Sequence, residues 1–261
     1  MKNHNSYSLA VNHQPAGARA TRVKLALVLP LFALLFVSTF AHADFILFYG
    51  GDFEPTNPNA NAQSNENDAI VGGSPYGAAT YQNFVIPTGQ TWNIQSLFTN
   101  NLSDLHPTSA YWEIRAGISE GNGGTLIASG TGGGANFTWT ATTRSAFGYD
   151  EYTAHVTGQS LNLGSGMYWE SVVPNSLAES GRSFNTNTFT RPNGIGTQVD
   201  NEQYWNSAFF GTNFTNANNE GVFQTFSSGI DGEEVPEPSS LVLVGSGLLG
   251  VAGILRRQWS A

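Results

Sequence analysis

A two-residue alternation of apolar and polar side chains dominates the middle of the chain and constrains its fold more than any other feature. Apolar side chains hold the even positions of residues 111–118, and the period returns at 137–142 and 152–157 with threonines between the apolar residues. Because successive side chains of a strand point to opposite faces, this period indicates half-buried β-strands. No stretch between residues 81 and 228 sustains a helical apolar period, so the sequence predicts an all-β fold.

Turn signals separate the predicted strands. Asn122-Gly123 favours a tight turn with positive φ, and Gly132-Gly133-Gly134 is a second break. Many short strands with such turns are typical of a sandwich or barrel, and we predict a jelly-roll-like β-sandwich over residues 81–230. Residues 44–80 are rich in Asn, Pro and Gly, which predicts a loop-rich lead containing a short first strand at Asp44–Tyr49.

Charge is strongly partitioned along the chain. All 19 acidic residues lie between Asp44 and Glu237 together with only four arginines, so this part carries a net charge of −15. Such a surface repels phosphates and anionic membranes, which excludes nucleic acid as a partner, and it suits cation binding or contact with neutral glycans. The chain contains no cysteine, which excludes disulfides and cysteine-based metal or nucleophilic sites.

The N-terminal 43 residues contain the first of two apolar segments. Arg19, Arg22 and Lys24 precede an apolar run over residues 25–40, and Ala41 and Ala43 then fit the small-residue pattern of a cleavage site. We interpret residues 1–43 as a signal peptide read by the Sec export machinery, with cleavage after Ala43; an uncleaved anchor is the alternative.

The second apolar segment lies near the C-terminus. It is preceded by Val235, Pro236, Glu237, Pro238 and Ser239. The prolines favour an extended backbone around Glu237. Residues 241–255 are uncharged, and as a helix they would be about 22 Å long against a hydrocarbon core of about 30 Å. We predict a short transmembrane helix over 241–255, with Arg256 and Arg257 as a stop-transfer signal on the cytoplasmic side. A plain C-terminal anchor is the alternative.

Together the Val-Pro-Glu-Pro-Ser motif, the short Gly-rich apolar run and the final arginine pair resemble the PEP-CTERM sorting signal of exported Gram-negative proteins. The resemblance implies recognition by exosortase, a membrane-embedded protease of the cysteine transpeptidase type, with cleavage near residues 236–238. It implies export across the inner membrane, transient membrane anchoring, and delivery to the cell surface or extracellular matrix alongside exopolysaccharide. The motif covers about the last tenth of the chain and assigns no activity to the remainder.

A weaker resemblance concerns the middle of the chain. Residues 82–174 are similar to β domains common in PEP-CTERM proteins, especially in Tyr-Trp-Glu-Ile-Arg-Ala-Gly-Ile-Ser and Gly-Met-Tyr-Trp-Glu. This resemblance implies a fold and no activity. Tyr-Trp pairs recur at 111–112, 168–169 and 204–205, and each pair places its two rings on opposite faces of a strand. The candidate stacking residues for a sugar ring are Tyr111, Tyr168 and Tyr204. The alternative is that both faces are covered and the rings are simply packed.

Catalytic signatures are weak. The part after residue 43 has two histidines, His106 and His155, without the spacing of a zinc hydrolase. Carboxylates could pair across strands as in a glycosidase, but the sequence alone cannot bring two together. We therefore expect no enzyme activity, no cofactor and no metal. The favoured function is an exported surface or matrix protein with a structural or adhesive β domain associated with exopolysaccharide. A carbohydrate-binding module is the first alternative, and a glycan-active hydrolase is the second.

Overall fold

The computed structural model describes residues 45–220, 225–235 and 238–259. Contacts divide the chain into two units, Met1–Ala43 and Asp44–Ala261, and every described residue belongs to the second. The predicted signal peptide and its expected cleavage residues Ala41 and Ala43 lie outside the described residues, as do Pro236 and Glu237 of the C-terminal motif.

The described chain is mostly β-strand, which confirms the all-β prediction. The strands are β1 (Phe45–Tyr49), β2 (Ala62–Ser64), β3 (Asn67–Asp68), β4 (Ala79–Ser103), β5 (Ser109–Ala116), β6 (Thr125–Gly133), β7 (Phe137–Ala146), β8 (Tyr149–Ser176), β9 (Ser183–Thr188), β10 (Tyr204–Ser207), β11 (Thr212–Asn216), β12 (Thr225–Phe226) and β13 (Ser228–Val235). The helices are the 3₁₀ turns Gly134–Asn136 and Ala217–Glu220 and the α-helix α1 (Pro238–Trp259).

An antiparallel ribbon of two long strands, β4 and β8, organises the sheet. The pairing runs from Gln82 opposite Glu170 to Ser103 opposite Asp150, and the main path through the sheet is β1-β13-β4-β8-β5-β6. Residues 87–89 are Pro-Thr-Gly, a composition that favours a turn, yet β4 passes through this segment. A register shift between Ile86 and Thr91 absorbs the extra residues, and pairing with β8 then resumes.

The ribbon curls so that its two halves face each other. Thr99 lies opposite Ala154 in the ladder, yet its hydroxyl donates to the carbonyl of Val172, 3.2 Å away and 18 residues further along β8. The enclosed core includes side chains from both halves, among them Phe84 and Leu97. All thirteen strands belong to one connected sheet, so the jelly-roll-like sandwich stays a prediction.

The interior also contains polar groups. Glu170 and Ser228 are each 1% exposed, and Asn187 is fully buried. Neither carboxylate oxygen of Glu170 has a hydrogen-bond partner, and the same is true of both polar atoms of the Asn187 side chain. Burial raises the pKa of Glu170 to about 8, opposed only by the nearby hydroxyl of Ser228. The carboxyl group is therefore mostly protonated at neutral pH.

Residues 45–80 form part of the domain. Glu66 is fully buried and accepts from the guanidinium of Arg182, with Nη2 2.9 Å from Oε1, and from the backbone N–H of Ser183 at 2.7 Å. At Gly77, an added Cβ would lie 1.4 Å from the carbonyl oxygen of Val71, so only glycine fits there. The strands also cross both expected domain boundaries, because β4 begins before residue 81 and β13 continues past residue 230.

The C-terminal helix α1 is longer than expected, since it spans 22 residues rather than 241–255. Among the described residues, no helix combines the length and apolarity that a membrane crossing requires. The prediction of a transmembrane helix over 241–255 is therefore corrected. The apolar run contains four glycines and ends at Arg256 and Arg257, which limits both its hydropathy and its length.

Candidate functional site

A groove of about 680 Å³ crosses four neighbouring strands on the outer face of the sheet. It is lined by Phe45 and Ile46 from β1, Asp231 and Glu233 from β13, Asn93, Gln95 and Ser96 from β4, and Thr157, Gly158, Gln159, Ser160 and His155 from β8. We call this surface the amide groove. Strand alternation explains its polar lining: Ala154 and Val156 are fully buried, so His155 and Thr157, which alternate with them, point outwards.

Irregularities in three of the four strands, β1, β4 and β8, meet at the amide groove. Leu47 is an extra residue in β1 relative to β13, and Gln95 is an extra residue in β4. In β8, residues 158–160 stand between the ladder positions Thr157 and Leu161. Bulges re-aim side chains and are over-represented beside functional sites. The alignment of bulges at one level of the sheet makes this groove the strongest candidate site.

Three polar side chains form a closed triangle in the groove wall. The hydroxyl of Ser96 donates to Oδ2 of Asp231 at 2.8 Å, and Nε2 of His155 lies 2.9 Å from that hydroxyl and 3.1 Å from the same carboxylate oxygen. A nucleophile relay uses one imidazole nitrogen for the hydroxyl and the other for the carboxylate. Here one nitrogen faces both partners, so the triangle does not have the relay arrangement.

The remaining lining offers both polar and apolar contacts. Phe45 is 50% exposed and Ile46 is 37% exposed, which gives the groove an apolar wall. Asn93 donates from Nδ2 to Oδ1 of Asn162 at 2.9 Å. Oε1 of Gln159 is buried and has no hydrogen-bond partner. The groove thus combines amide, hydroxyl and carboxylate groups with one aromatic ring.

The electrostatic character of the groove follows from where the arginines lie. Three of the four arginines in the acidic part pair with buried glutamates: Arg115 with Glu113 (2.7 Å), Arg144 with Glu151 (2.6 Å) and Arg182 with Glu66 (2.9 Å). The fourth, Arg191, donates to the carbonyls of Gly50 and Tyr49. The described lining of the amide groove contains two carboxylates and no arginine or lysine, so it disfavours anionic ligands.

The three tyrosines expected to stack on sugars are not freely exposed. Tyr111 is half-buried, lies 5.5 Å from the ring of Tyr76 and donates to Oε2 of Glu113 at 3.1 Å. Tyr168 is half-buried and packs on Phe84, with ring centroids 5.7 Å apart.

Tyr204 is only 4% exposed, so its expected role as an exposed stacking residue is corrected. It lies in a second apolar cluster with Trp169, 6.2 Å between ring centroids, and its hydroxyl donates to Glu202 at 2.8 Å. The Tyr-Trp pairs at 111–112 and 168–169 do divide between the two faces of the sheet, as expected, and each ring packs against other side chains.

The acidic residues of the lead also serve the fold. Asp52 binds Arg144 (2.8 Å) and Asn193 (2.6 Å), and Glu54 accepts from the backbone N–H groups of Phe189 and Thr190, both at 2.8 Å. These contacts lower the pKa of both carboxyl groups against the opposing effect of desolvation. In the described part of the chain, no three His, Asp or Glu side chains are grouped to hold a metal ion.

The C-terminal motif joins the sheet to α1. Val235 is the last residue of β13 and lies opposite Thr91, whereas Pro238 and Ser239 open α1. Arg256 and Arg257 lie in the last turn of this helix and are exposed. Positively charged arginines at the C-terminal end of a helix interact favourably with the negative end of the helix dipole.

Comparison with known proteins informs only this C-terminal part. No curated protein and no solved structure matches the chain. A family model does match, over 24 of the 261 residues, and it includes the end of β13, the Pro-Glu-Pro sequence and the arginine pair. Residues 234–257 are a PEP-CTERM protein-sorting motif, consistent with an exosortase substrate.

Proposed function

We propose that the chain is an exported surface or matrix protein whose β domain adheres to exopolysaccharide, and that the amide groove is its polysaccharide contact. The sorting motif itself implies export and membrane anchoring before exosortase processing. The proposal adds the final location at the cell surface or matrix of a Gram-negative host, and a role for the domain there. It combines two of the functions considered from the sequence, an adhesive surface protein and a carbohydrate-binding module.

The observation that carries the proposal is the alignment of bulges from three neighbouring strands beneath one polar groove. Sugar hydroxyls both donate and accept hydrogen bonds, and amide and carboxylate side chains such as Asn93, Gln159 and Asp231 supply matching planar groups. The exposed ring of Phe45 supplies the apolar surface on which a sugar face packs. The negative lining favours neutral polysaccharide.

We further propose that the groove binds without turnover. The nearest approach to a catalytic constellation is the Ser96, His155 and Asp231 triangle, in which a single imidazole nitrogen faces both oxygen atoms. A hydroxyl nucleophile needs an imidazole that accepts its proton on one nitrogen while a carboxylate holds the other nitrogen. In this triangle Asp231 lies beside the same nitrogen as Ser96, so that arrangement is not formed.

A binding experiment tests the proposal. The purified full chain is applied to an array of bacterial exopolysaccharides and neutral glycans, and affinity for the best ligand is measured by calorimetry. Phe45→Ala and Asn93→Ala should each weaken binding about tenfold, equivalent to about 1.4 kcal/mol. Phe209→Ala is the matched control, because Phe209 is 55% exposed and lies outside the groove. Absence of any glycan binding, or equal loss in the control, contradicts the proposal.

A further inference from the structure

Strand β6 ends the main path through the sheet and presents an open edge. Its nine residues, Thr125–Gly133, pair with β5 alone among the described strands. An edge strand carries a row of unpaired N–H and C=O groups, which is a template for another strand.

Few of the usual protective features occur in β6. Its sequence, Thr-Leu-Ile-Ala-Ser-Gly-Thr-Gly-Gly, contains no charged residue and no proline. Leu126 is 45% exposed and Ile127 is 40% exposed. A bulge at Ile127 interrupts the pairing with β5 near one end, whereas the ladder from Ala128 to Gly133 is regular. Natural edges are normally guarded by inward charges, proline, or a covering segment.

The opposite end of the sheet path is better covered. In β1, Tyr49 exchanges two backbone hydrogen bonds with Ile195, at 3.0 and 2.9 Å. The guanidinium of Arg191 also binds the carbonyls of Tyr49 and Gly50, at 3.1 and 3.0 Å. The contrast makes β6 the more available of these two ends.

We propose that β6 pairs antiparallel with β6 of a second copy of this chain. Two copies of a domain with a net charge of −15 repel each other over most of their surfaces, and a charge-free strand lets them approach. Antiparallel pairing of identical strands obeys a two-fold axis. An axis at Ser129 places Ile127 of each copy opposite Thr131 of the other and leaves small side chains between them.

Sedimentation equilibrium of the purified full chain in detergent tests this interface. Thr131→Asp places an exposed negative charge on β6 of each copy. Thr140→Asp makes the same change on the exposed face of β7, which pairs with β8 alone among the described strands. Because the introduced carboxylate of each copy would lie opposite the apolar side chain of Ile127 of the other, Thr131→Asp should raise the dimer dissociation constant about tenfold or more. Thr140→Asp should leave it unchanged, and near-UV circular dichroism of both variants should match the wild type.

Three results would overturn the proposal. A wild-type chain that is monomeric at every concentration has no such interface. Association that is insensitive to Thr131→Asp occurs elsewhere, for example through the terminal apolar segments. Association that weakens equally in Thr140→Asp reflects net charge, or the edge of β7, and not pairing through β6.

Discussion

Replacement of Glu170 by glutamine should abolish a stability loss that the wild-type domain suffers as pH rises. Glu170 is buried without a hydrogen-bond partner for either oxygen, and its pKa is raised from 4.5 to about 8 in the folded state. Between pH 4.5 and about pH 8, the folded state therefore retains a proton that the unfolded chain has already released. This contribution to stability is complete below pH 4.5 and is lost as pH rises through 8.

The magnitude follows from the two pKa values. One pKa unit corresponds to about 1.4 kcal/mol, and integration from pH 6 to pH 9 gives a loss of about 3 kcal/mol in the free energy of unfolding. For a domain of this size the loss corresponds to a fall of about 10 °C in Tm. Glutamine is similar in shape and stays neutral. The free energy of unfolding of Glu170→Gln should therefore change little from pH 6 to pH 9, and this variant should be more stable than wild type at pH 9.

Urea unfolding at pH 6, 7, 8 and 9, followed by tryptophan fluorescence, measures the effect. His106 and His155 occur in both proteins, so their contributions cancel in the difference between wild type and Glu170→Gln. Glu234→Gln is the matched control, because Glu234 is exposed on β13 and its replacement should keep the wild-type slope. A wild-type free energy of unfolding that stays constant from pH 6 to pH 9 would refute the reasoning. An equal slope in Glu170→Gln would do the same.

Three further predictions concern other parts of the chain. Gly77→Ala should cost more than about 3 kcal/mol by chemical denaturation, or prevent folding, because its Cβ would overlap the Val71 carbonyl; a loss under about 1 kcal/mol would show that the backbone moves aside. Arg144→Gln should cost about 3 kcal/mol in the same assay, since it leaves the fully buried carboxylate of Glu151 without its cation, and an unchanged midpoint would contradict this. Glu237→Ala, in a host with exosortase, should leave residues 241–261 attached to the exported protein by mass spectrometry; normal processing of this variant would show that Glu237 is not read.

The sequence was informative where local periodicity decides the outcome. The alternation at 152–157 placed Ala154 and Val156 inside and His155 outside, as the structure shows. The alternation at 111–118 held only as far as β5. Gly117 has φ of +69°, and Ile118 beyond it packs into the second apolar cluster instead of beside Ile114.

The buried carboxylates could not be found in this way. Glu66, Glu113, Glu151 and Glu170 occupy positions that a polar pattern assigns to solvent, yet each is at most 1% exposed. Three of them have an arginine partner, and two of those partners are distant in the chain or on another strand. Their burial depends on contacts between segments far apart in the chain, such as those of Glu66 with Arg182 and Ser183. Local periodicity carries no information about such contacts.

The amide groove was missed for a related reason. Leu47 and Gln95 look like ordinary strand residues, and only their register against a neighbouring strand makes each one a bulge. Register is a relation between segments far apart in the chain. The sequence did show a usable signal in Gly158, because glycine inside a strand pattern often marks a bulge, and its φ of +85° bears this out.

The pairing of β1 with β13 affects the order in which the domain can fold during export. β1 is the first strand of the sheet and β13 is the last, and β13 lies between β1 and β4. A chain that crosses a membrane from its N-terminus therefore exposes β1 long before its partner arrives, and loop closure over nearly the whole domain must precede this pairing. The sheet can be completed only when β13 has crossed the membrane, and β13 leads directly into the sorting motif. A chain truncated before Ser228 would lack β13, the strand that pairs with both β1 and β4.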